Sequence, residues 1–91
     1  MSLDKVAAFK DILAQNPGDA FARYGLAMEF RQRGEGALAL EQFDELQKQH
    51  PDYTAGYQMA AQMLMADGKF SEAEQRLQAG TLAQPSDEII V

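Results

Sequence analysis

The sequence lacks several features that would point to particular classes of protein. It has no cysteine, so disulfide bonds and thiolate metal sites are excluded. It has no run of valine, isoleucine or threonine before the last three residues, which argues against strands. No stretch approaches the roughly 20 apolar residues that cross a bilayer, and the N-terminus does not resemble a secretory signal. We therefore predict a cytoplasmic protein that makes no membrane contact.

The balance of charge is acidic. Fourteen Asp and Glu residues outnumber eight Lys and Arg residues, which gives a formal net charge of −6. Phosphate backbones repel such a surface, and the basic residues are scattered along the sequence rather than gathered in a stripe. We therefore expect no binding to nucleic acid.

The residues that could carry catalysis are few and isolated. The single histidine, His50, directly precedes a proline at a predicted helix end, where we expect it to serve helix-terminus hydrogen bonding. The serines have no histidine near them in sequence, and the glycines do not form a phosphate loop. Glu41, Asp44 and Glu45 share a helical face, which we interpret as solvated rather than as a cation site. The sequence predicts no enzymatic activity, no cofactor and no metal.

The prolines are evenly spaced. The only three, Pro17, Pro51 and Pro85, are separated by 34 residues, and an acid follows each within two positions. Other positions one period apart also match in size, small residue with small and large apolar with large. A constant period of this length indicates a repeat architecture. The matching pairs include Phe30 and Leu64, Gly34 and Gly68, Ala39 and Ala73, Phe43 and Leu77, and Phe9 and Phe43.

Each repeat divides into two helices. The helical spacing of apolar residues predicts five helices. We expect Ser2, Asp19 and Asp52 to cap three of them, and Gly34 and Gly68 to end, in the left-handed conformation, the two helices that begin at Asp19 and Asp52. The predicted helices run over residues 2–16, 19–33, 35–49, 52–66 and 70–83, within a single domain 1–91 made of a half repeat (2–16), two full repeats (19–51 and 52–85) and a tail (86–91).

Small residues are expected where the two helices of a hairpin cross. Helices joined by a tight turn pack antiparallel, and close approach requires small side chains at the crossing. We therefore place Ala27 opposite Ala39, and Ala61 opposite Ala73, with large apolar residues beside each crossing. Because the hairpins repeat, we expect side chains one period apart to occupy equivalent environments. The large residues are Phe30, Phe43, Leu64 and Leu77, and the last helix also has Phe70 and Leu82 on its apolar face.

The 34-residue pattern of Leu-Ala, aromatic, Gly, Ala, aromatic and Pro resembles the tetratricopeptide repeat over residues 4–85. The resemblance implies an all-α, right-handed superhelical stack of antiparallel helical hairpins, here with about five helices. It also implies a non-enzymatic protein-interaction module. Three positions depart from the family pattern, one of which is Gly80 in the second repeat, where the first repeat has Leu46. Arg23 and Tyr57 stand where the family has tryptophan, and Gly36 stands where it usually has tyrosine or phenylalanine, as Phe70 does in the second repeat.

The first helix of the first full repeat carries a second stripe, roughly 130° around the helix from its core face. The stripe holds two aromatics, a methionine and an arginine, which are types enriched at binding hot spots. The resemblance implies that first helices line a concave groove that receives extended or helical peptides. The predicted protein-binding residues are therefore Phe21, Tyr24, Met28, Arg31, Gln58, Gln62 and Met65. As an alternative, the N-terminal helix covers Phe21 or Tyr24 as ordinary packing.

The partner is expected to be a protein or peptide, but not the acidic C-terminal tail of a chaperone. Family members that clamp such tails are similar to one another in placing lysine and asparagine in the groove. The matching sites here are Tyr24, Gly25, Met28, Ala55 and Met59, none of which is basic.

A structural role is the alternative function. The last helix of a repeat stack lacks a following helix to cover it, and terminal repeats need a polar cap. Leu82, together with Ile89, Ile90 and Val91, could instead bury itself against a second copy of the chain. The protein would then be a homodimerising repeat protein without a peptide ligand.

Overall fold

A computed structural model of the protein describes residues 4–82. This part of the chain is all-α, with no strand among its residues. Each helix packs on the helix before and after it, so the predicted stack of helical hairpins is confirmed. The five helices are α1 Lys5–Gln15, α2 Ala20–Gln32, α3 Gly36–Gln49, α4 Thr54–Ala66 and α5 Phe70–Leu82. The predicted last helical residue, Ala83, and the tail 86–91 lie outside the described residues.

The first two helices begin at aspartates. The Asp4 carboxylate accepts hydrogen bonds from the amides of Val6 and Ala7, at 3.1 and 3.3 Å, so Asp4 is the N-cap of α1. The prediction that this helix begins at Ser2 is wrong, and Ser2 itself lies outside the described residues. At α2 the Asp19 carboxylate accepts from the third residue beyond it at 2.9 Å, which confirms the predicted cap.

The predicted cap of α4 is wrong. Its N-cap residue is Tyr53, which makes no side-chain capping bond, and Asp52 lies one residue too early. In the register of the repeat, Tyr53 corresponds to Asp19 and Asp52 corresponds to Gly18. An acidic side chain caps a helix only from the position directly before its first residue, so a shift of one residue removes the interaction.

Glycine ends the first helix of each full repeat. Gly34 and Gly68 have φ of 76° and 77°, a left-handed conformation that glycine adopts without a Cβ clash. After α2, the amide of Glu35 donates to the Phe30 carbonyl at 2.9 Å, and the amide of Gly34 donates to the Arg31 carbonyl at 3.1 Å. The corresponding two bonds close α4. Both turns are therefore Schellman motifs, as the glycine spacing predicts.

Alanines form the seam of each hairpin. Ala27 and Ala39 are fully buried between α2 and α3, and Ala61 and Ala73 are 1% and 2% exposed between α4 and α5. All four alanines are thus buried in the core of their own hairpin, as expected for residues at the crossings. Leu40 packs against the buried residues of both hairpins and so joins the two cores. The large buried residues beside the seams are Leu26, Phe30, Phe43, Leu46, Tyr57 and Leu64.

Burial does not follow the repeat at the ends of the stack. Phe43 is fully buried, whereas Leu77, one period later, is 43% exposed. The expectation that these two residues occupy equivalent environments is therefore wrong. Phe70 and Leu82 are also exposed, at 67% and 86%. The cause is that α4 packs over α3, whereas α5 is the last helix of the described chain. Ile12 on the first helix is 42% exposed for the corresponding reason.

The family's tryptophan position has a shared structural role despite its different residues. The Nη2 group of Arg23 donates to the Pro17 carbonyl at 3.1 Å, and the Tyr57 hydroxyl donates to the Pro51 carbonyl at 2.8 Å. Both bonds tie the first helix of a repeat to the proline that precedes it. Arg23 also donates through Nη1 to the Gln42 Oε1 atom at 2.8 Å, which links α2 to α3.

Replacing Ala73 by tryptophan tests the alanine seam. No space exists for an indole between α4 and α5, so we expect Ala73→Trp to lower the free energy of unfolding by about 1–3 kcal/mol or more. The control is Ala79→Trp, at an exposed position of the same helix, which should change it by less than about 0.5 kcal/mol. Urea unfolding followed by circular dichroism measures both. Equal unfolding midpoints for the two variants would contradict the packing.

The N-cap of α1 makes stability depend on pH. The pKa of Asp4 lies below its ordinary value of 3.8, chiefly because the Ala7 amide donates to the carboxylate and also because the Arg33 guanidinium bonds to it at 3.0 Å. A lowered pKa in the folded state stabilises the fold above the unfolded value. That contribution is complete above about pH 5 and is lost as the pH falls through 3.8 toward the lower folded-state pKa.

The variant Asp4→Asn isolates this charge, because asparagine caps helices about as well as aspartate. We expect the native protein to melt at a higher temperature than the variant at pH 6, and the difference to shrink as the pH falls below 4. Thermal melts of both proteins across this range provide the measurement. A melting-temperature difference that stays constant with pH would contradict the assignment.

Candidate functional site

A cleft of about 430 Å³ lies beside the C-terminal turns of α2 and α4. It brings together Arg31 from α2 and Gln62 from α4, two of the seven predicted binding residues, and both are exposed. The first helices of the two repeats therefore share a surface at this end of the stack. The cleft is lined by Arg31, Gly34, Gly36, Ala37, Gln62, Met63, Ala66 and Asp67.

Small residues leave the cleft open on the side of the first hairpin. A Cβ atom added to Gly36 would lie 3.6 Å from the Met63 Cε atom, an ordinary contact distance. The space between the start of α3 and the side of α4 is thus bounded by a thioether and not by backbone. The cleft also combines an arginine, a carboxamide and the Asp67 carboxylate, which together offer hydrogen-bond donors and acceptors.

Tyr24 is largely a packing residue. Its ring meets that of Phe43 edge to face, with centroids 6.1 Å apart, and lies 5.4 Å from that of Tyr53. Burial raises the pKa of the Tyr24 hydroxyl above its ordinary value of 10.0, with a smaller effect from Tyr53. Met28 likewise packs on the edge of the same core. The Tyr24 ring is therefore covered by a residue of α3 and by a residue of the α3–α4 connection.

Phe21 has the opposite environment. It is 71% exposed, and its contact with α1 is an edge-to-face approach to Phe9, with centroids 6.4 Å apart. The Phe9 ring lies against Gly25, where an added Cβ would come within 2.5 Å of the Phe9 Cζ atom. The N-terminal helix therefore places its aromatic ring on the glycine and leaves most of Phe21 open to solvent.

The other predicted residues of α4 lie apart from the cleft. Gln58 is exposed and lines a smaller cleft of about 100 Å³ together with Tyr57 and Leu77. Met65 is 48% exposed. Of the seven predicted residues, only Arg31 and Gln62 line the larger cleft. The lining residues that the prediction omits include Met63 and Asp67, for which the helical spacing supplied no signal.

Two of the groups considered for catalysis or metal binding have structural partners. The Nε2 atom of His50 donates to the Gly18 carbonyl at 2.7 Å, so the imidazole ties the end of α3 to the loop before α2. The sequence predicts that the His50 side chain bonds at its own helix end. Its partner lies instead in the turn before α2. In the predicted acidic cluster, the Asp44 carboxylate accepts from Arg76 of α5. Among residues 4–82, no group of three or more histidine, aspartate or glutamate side chains could hold a metal ion.

Comparison with known proteins agrees with this architecture. A family model described as a tetratricopeptide repeat matches residues 30–90. The chain belongs to the tetratricopeptide repeat family. Repeats of this family generally mediate protein–protein interaction and are typically not enzymes. Searches of curated proteins and of solved structures each returned no significant match. Among the described helices, none has both the length and the apolar character needed to traverse a membrane.

Proposed function

We propose that the protein is a non-enzymatic interaction module that binds a peptide, or an extended segment of a partner protein, in the groove between α2 and α4. The observation that carries the proposal is the cleft shared by Arg31 and Gln62. These residues come from the first helices of successive repeats, so a ligand that contacts both must lie across the stack. The family's general role in protein–protein interaction supports the same conclusion.

The chemistry of the groove suits a peptide. An extended peptide presents amide donors and carbonyl acceptors that need partners. The Gln62 carboxamide can donate and accept, the Arg31 guanidinium can donate to carbonyls, and the Asp67 carboxylate can accept from amides. Met63 beside them supplies an adaptable apolar surface.

The charge of the chain limits the kind of partner. Its net charge of −6 opposes an acidic ligand, and the groove sites that would form a basic clamp hold Tyr24, Met28 and Met59 instead. We therefore propose a partner segment that is neutral or basic, and not the acidic tail of a chaperone.

Paired substitutions at the cleft test this function. Peptides that bind the immobilised protein are selected from a displayed random library. The dissociation constants of the enriched peptides are then measured by fluorescence anisotropy. We expect the double variant Arg31→Glu, Gln62→Ala to bind them about tenfold or more weakly, which corresponds to roughly 1.4 kcal/mol. Both side chains are exposed, so thermal melts should show an intact fold. Tyr24 is unsuitable for this test because its ring packs on the core.

The matched control is Lys48→Glu, Gln75→Ala. It makes the same change of charge and amide at exposed positions of the second helices α3 and α5. Its affinity for the peptides should equal that of the native protein. If the cleft variant and this control bind the peptides equally well, the groove assignment is wrong.

Self-association is a second candidate function, favoured by the surface of α5. Leu77 and Leu82 are exposed there, and a cleft of about 380 Å³ lies beside them. The corresponding face of α3 is covered by α4. A second copy of the chain could cover the exposed face of α5 in the same way.

Sedimentation over a range of protein concentrations tests self-association. If copies join through α5, the native protein should dimerise, and the variant Leu77→Glu, Leu82→Glu should do so at least about tenfold more weakly, because each glutamate would bury a charge. The control Gln75→Glu, Ala79→Glu adds the same charge at exposed positions of α5. A native protein that remains monomeric at every concentration would exclude this candidate.

Two further expectations from the sequence stay predictions. One is that residues 19–51 and 52–85 act as repeat units of a single domain. The other is that the protein is cytoplasmic.

A further inference from the structure

The two full repeats differ at the first residue of their second helix. This residue is Gly36 in α3 and Phe70 in α5, and the two are one 34-residue period apart. Phe70 projects from the last described helix and is 67% exposed. At Gly36 no side chain exists, and the cleft of about 430 Å³ opens beside it. The first repeat therefore has a space at the position where the second repeat has an aromatic ring.

The walls of this space can accept an aromatic side chain. The Met63 Cε atom lies 3.6 Å from the position of a Cβ on Gly36, and Ala37 and Ala66 contribute only methyl groups. Thioether sulfur makes favourable contacts with the edges of aromatic rings. The Arg31 guanidinium at the same cleft can stack on a ring face.

We propose that this cleft receives an aromatic side chain of the partner segment, which occupies the space left by Gly36. The inference rests on the proposed function and specifies the chemistry of its ligand. Ring burial against Met63 supplies apolar contact, and Arg31 supplies a cation–π contact to the same ring.

The charge of the protein indicates which residues flank the aromatic residue of the ligand. Within the cleft the Asp67 carboxylate offsets the charge of Arg31, so the net charge of −6 on the whole chain decides the preference. A ligand with lysine or arginine beside its aromatic residue complements this surface, whereas glutamate beside it would be repelled. The ligand is therefore a segment with one aromatic residue flanked by basic residues.

Three short synthetic peptides of one scaffold test the proposal. The first has a central phenylalanine flanked by lysines, the second replaces that phenylalanine by alanine, and the third replaces the lysines by glutamates. We expect the first to bind about tenfold or more tightly than each of the others, as measured by fluorescence anisotropy. Amide resonances of Gly34, Ala37 and Ala66 should shift on its addition. Equal binding of the phenylalanine and alanine peptides would overturn the aromatic site, and tighter binding of the glutamate peptide would overturn the charge assignment.

The variant Gly36→Phe fills the cleft with the residue found one period later. We expect it to weaken binding of the first peptide about tenfold, while the control Leu38→Phe, in the same turn of α3 but outside the cleft lining, leaves binding unchanged. Ala66→Leu narrows the cleft from α4 and should act as Gly36→Phe does, which keeps the test valid if Gly36→Phe fails to fold. Unchanged binding by folded cleft variants would overturn the inference.

Failure of this inference can be distinguished from failure of the proposed function. Library-selected peptides could bind the double variant Arg31→Glu, Gln62→Ala more weakly, yet contain no aromatic residue and bind Gly36→Phe as well as the native protein. That result would support the groove assignment and contradict the aromatic site. If no peptide from either source binds the native protein, both proposals fall.

Discussion

The close approach of two helices at a pair of alanines is the contact on which this structure depends. Ala27 and Ala39 are completely buried in the first hairpin, and the same arrangement recurs in the second. Because methyl groups at the crossing let the helices approach closely, larger side chains such as Phe30 pack beside the crossing and not between the helices. Stacking one hairpin on the next then brings the ends of α2 and α4 to a common surface.

Stacking explains why the interior and the ends of the molecule differ. Phe43 is buried because α4 covers it, whereas Leu77 has no following helix in the described chain and is 43% exposed. A repeat unit buries its apolar face only against a neighbour, so equal sequence positions have unequal environments at the ends. The molecule consequently offers two kinds of surface. One is the groove near Arg31, built by two repeats, and the other is the apolar side of α5.

The features that follow local rules could be predicted from the sequence. The helix ends at Gly34 are determined by backbone conformation within one turn, and the alanine seams follow from periodicity. The cap at Asp52 could not be placed, because a shift of one residue decides whether a carboxylate reaches the helix amides. In the site, the placement of Arg31 and Gln62 on one surface follows from the repeat, because both lie on the first helix of a repeat. The burial of Tyr24 does not, because part of its cover is an aromatic ring of the α3–α4 connection that has no aromatic counterpart one period earlier.

Two departures from the repeat pattern, both to glycine, leave different surroundings at the position of the missing side chain. Gly80 stands where the first repeat has Leu46, and the lost side chain is replaced by Tyr57, whose Cβ atom would lie 3.0 Å from a Cβ on Gly80. The Tyr57 side chain fills the space directly next to the glycine, although a cleft of about 100 Å³ remains beside both residues. At Gly36 the nearest atom to a Cβ is 3.6 Å away, at the end of the Met63 side chain, and a cleft remains. This space opens onto the groove shared by two repeats, where the proposed ligand has room for a side chain.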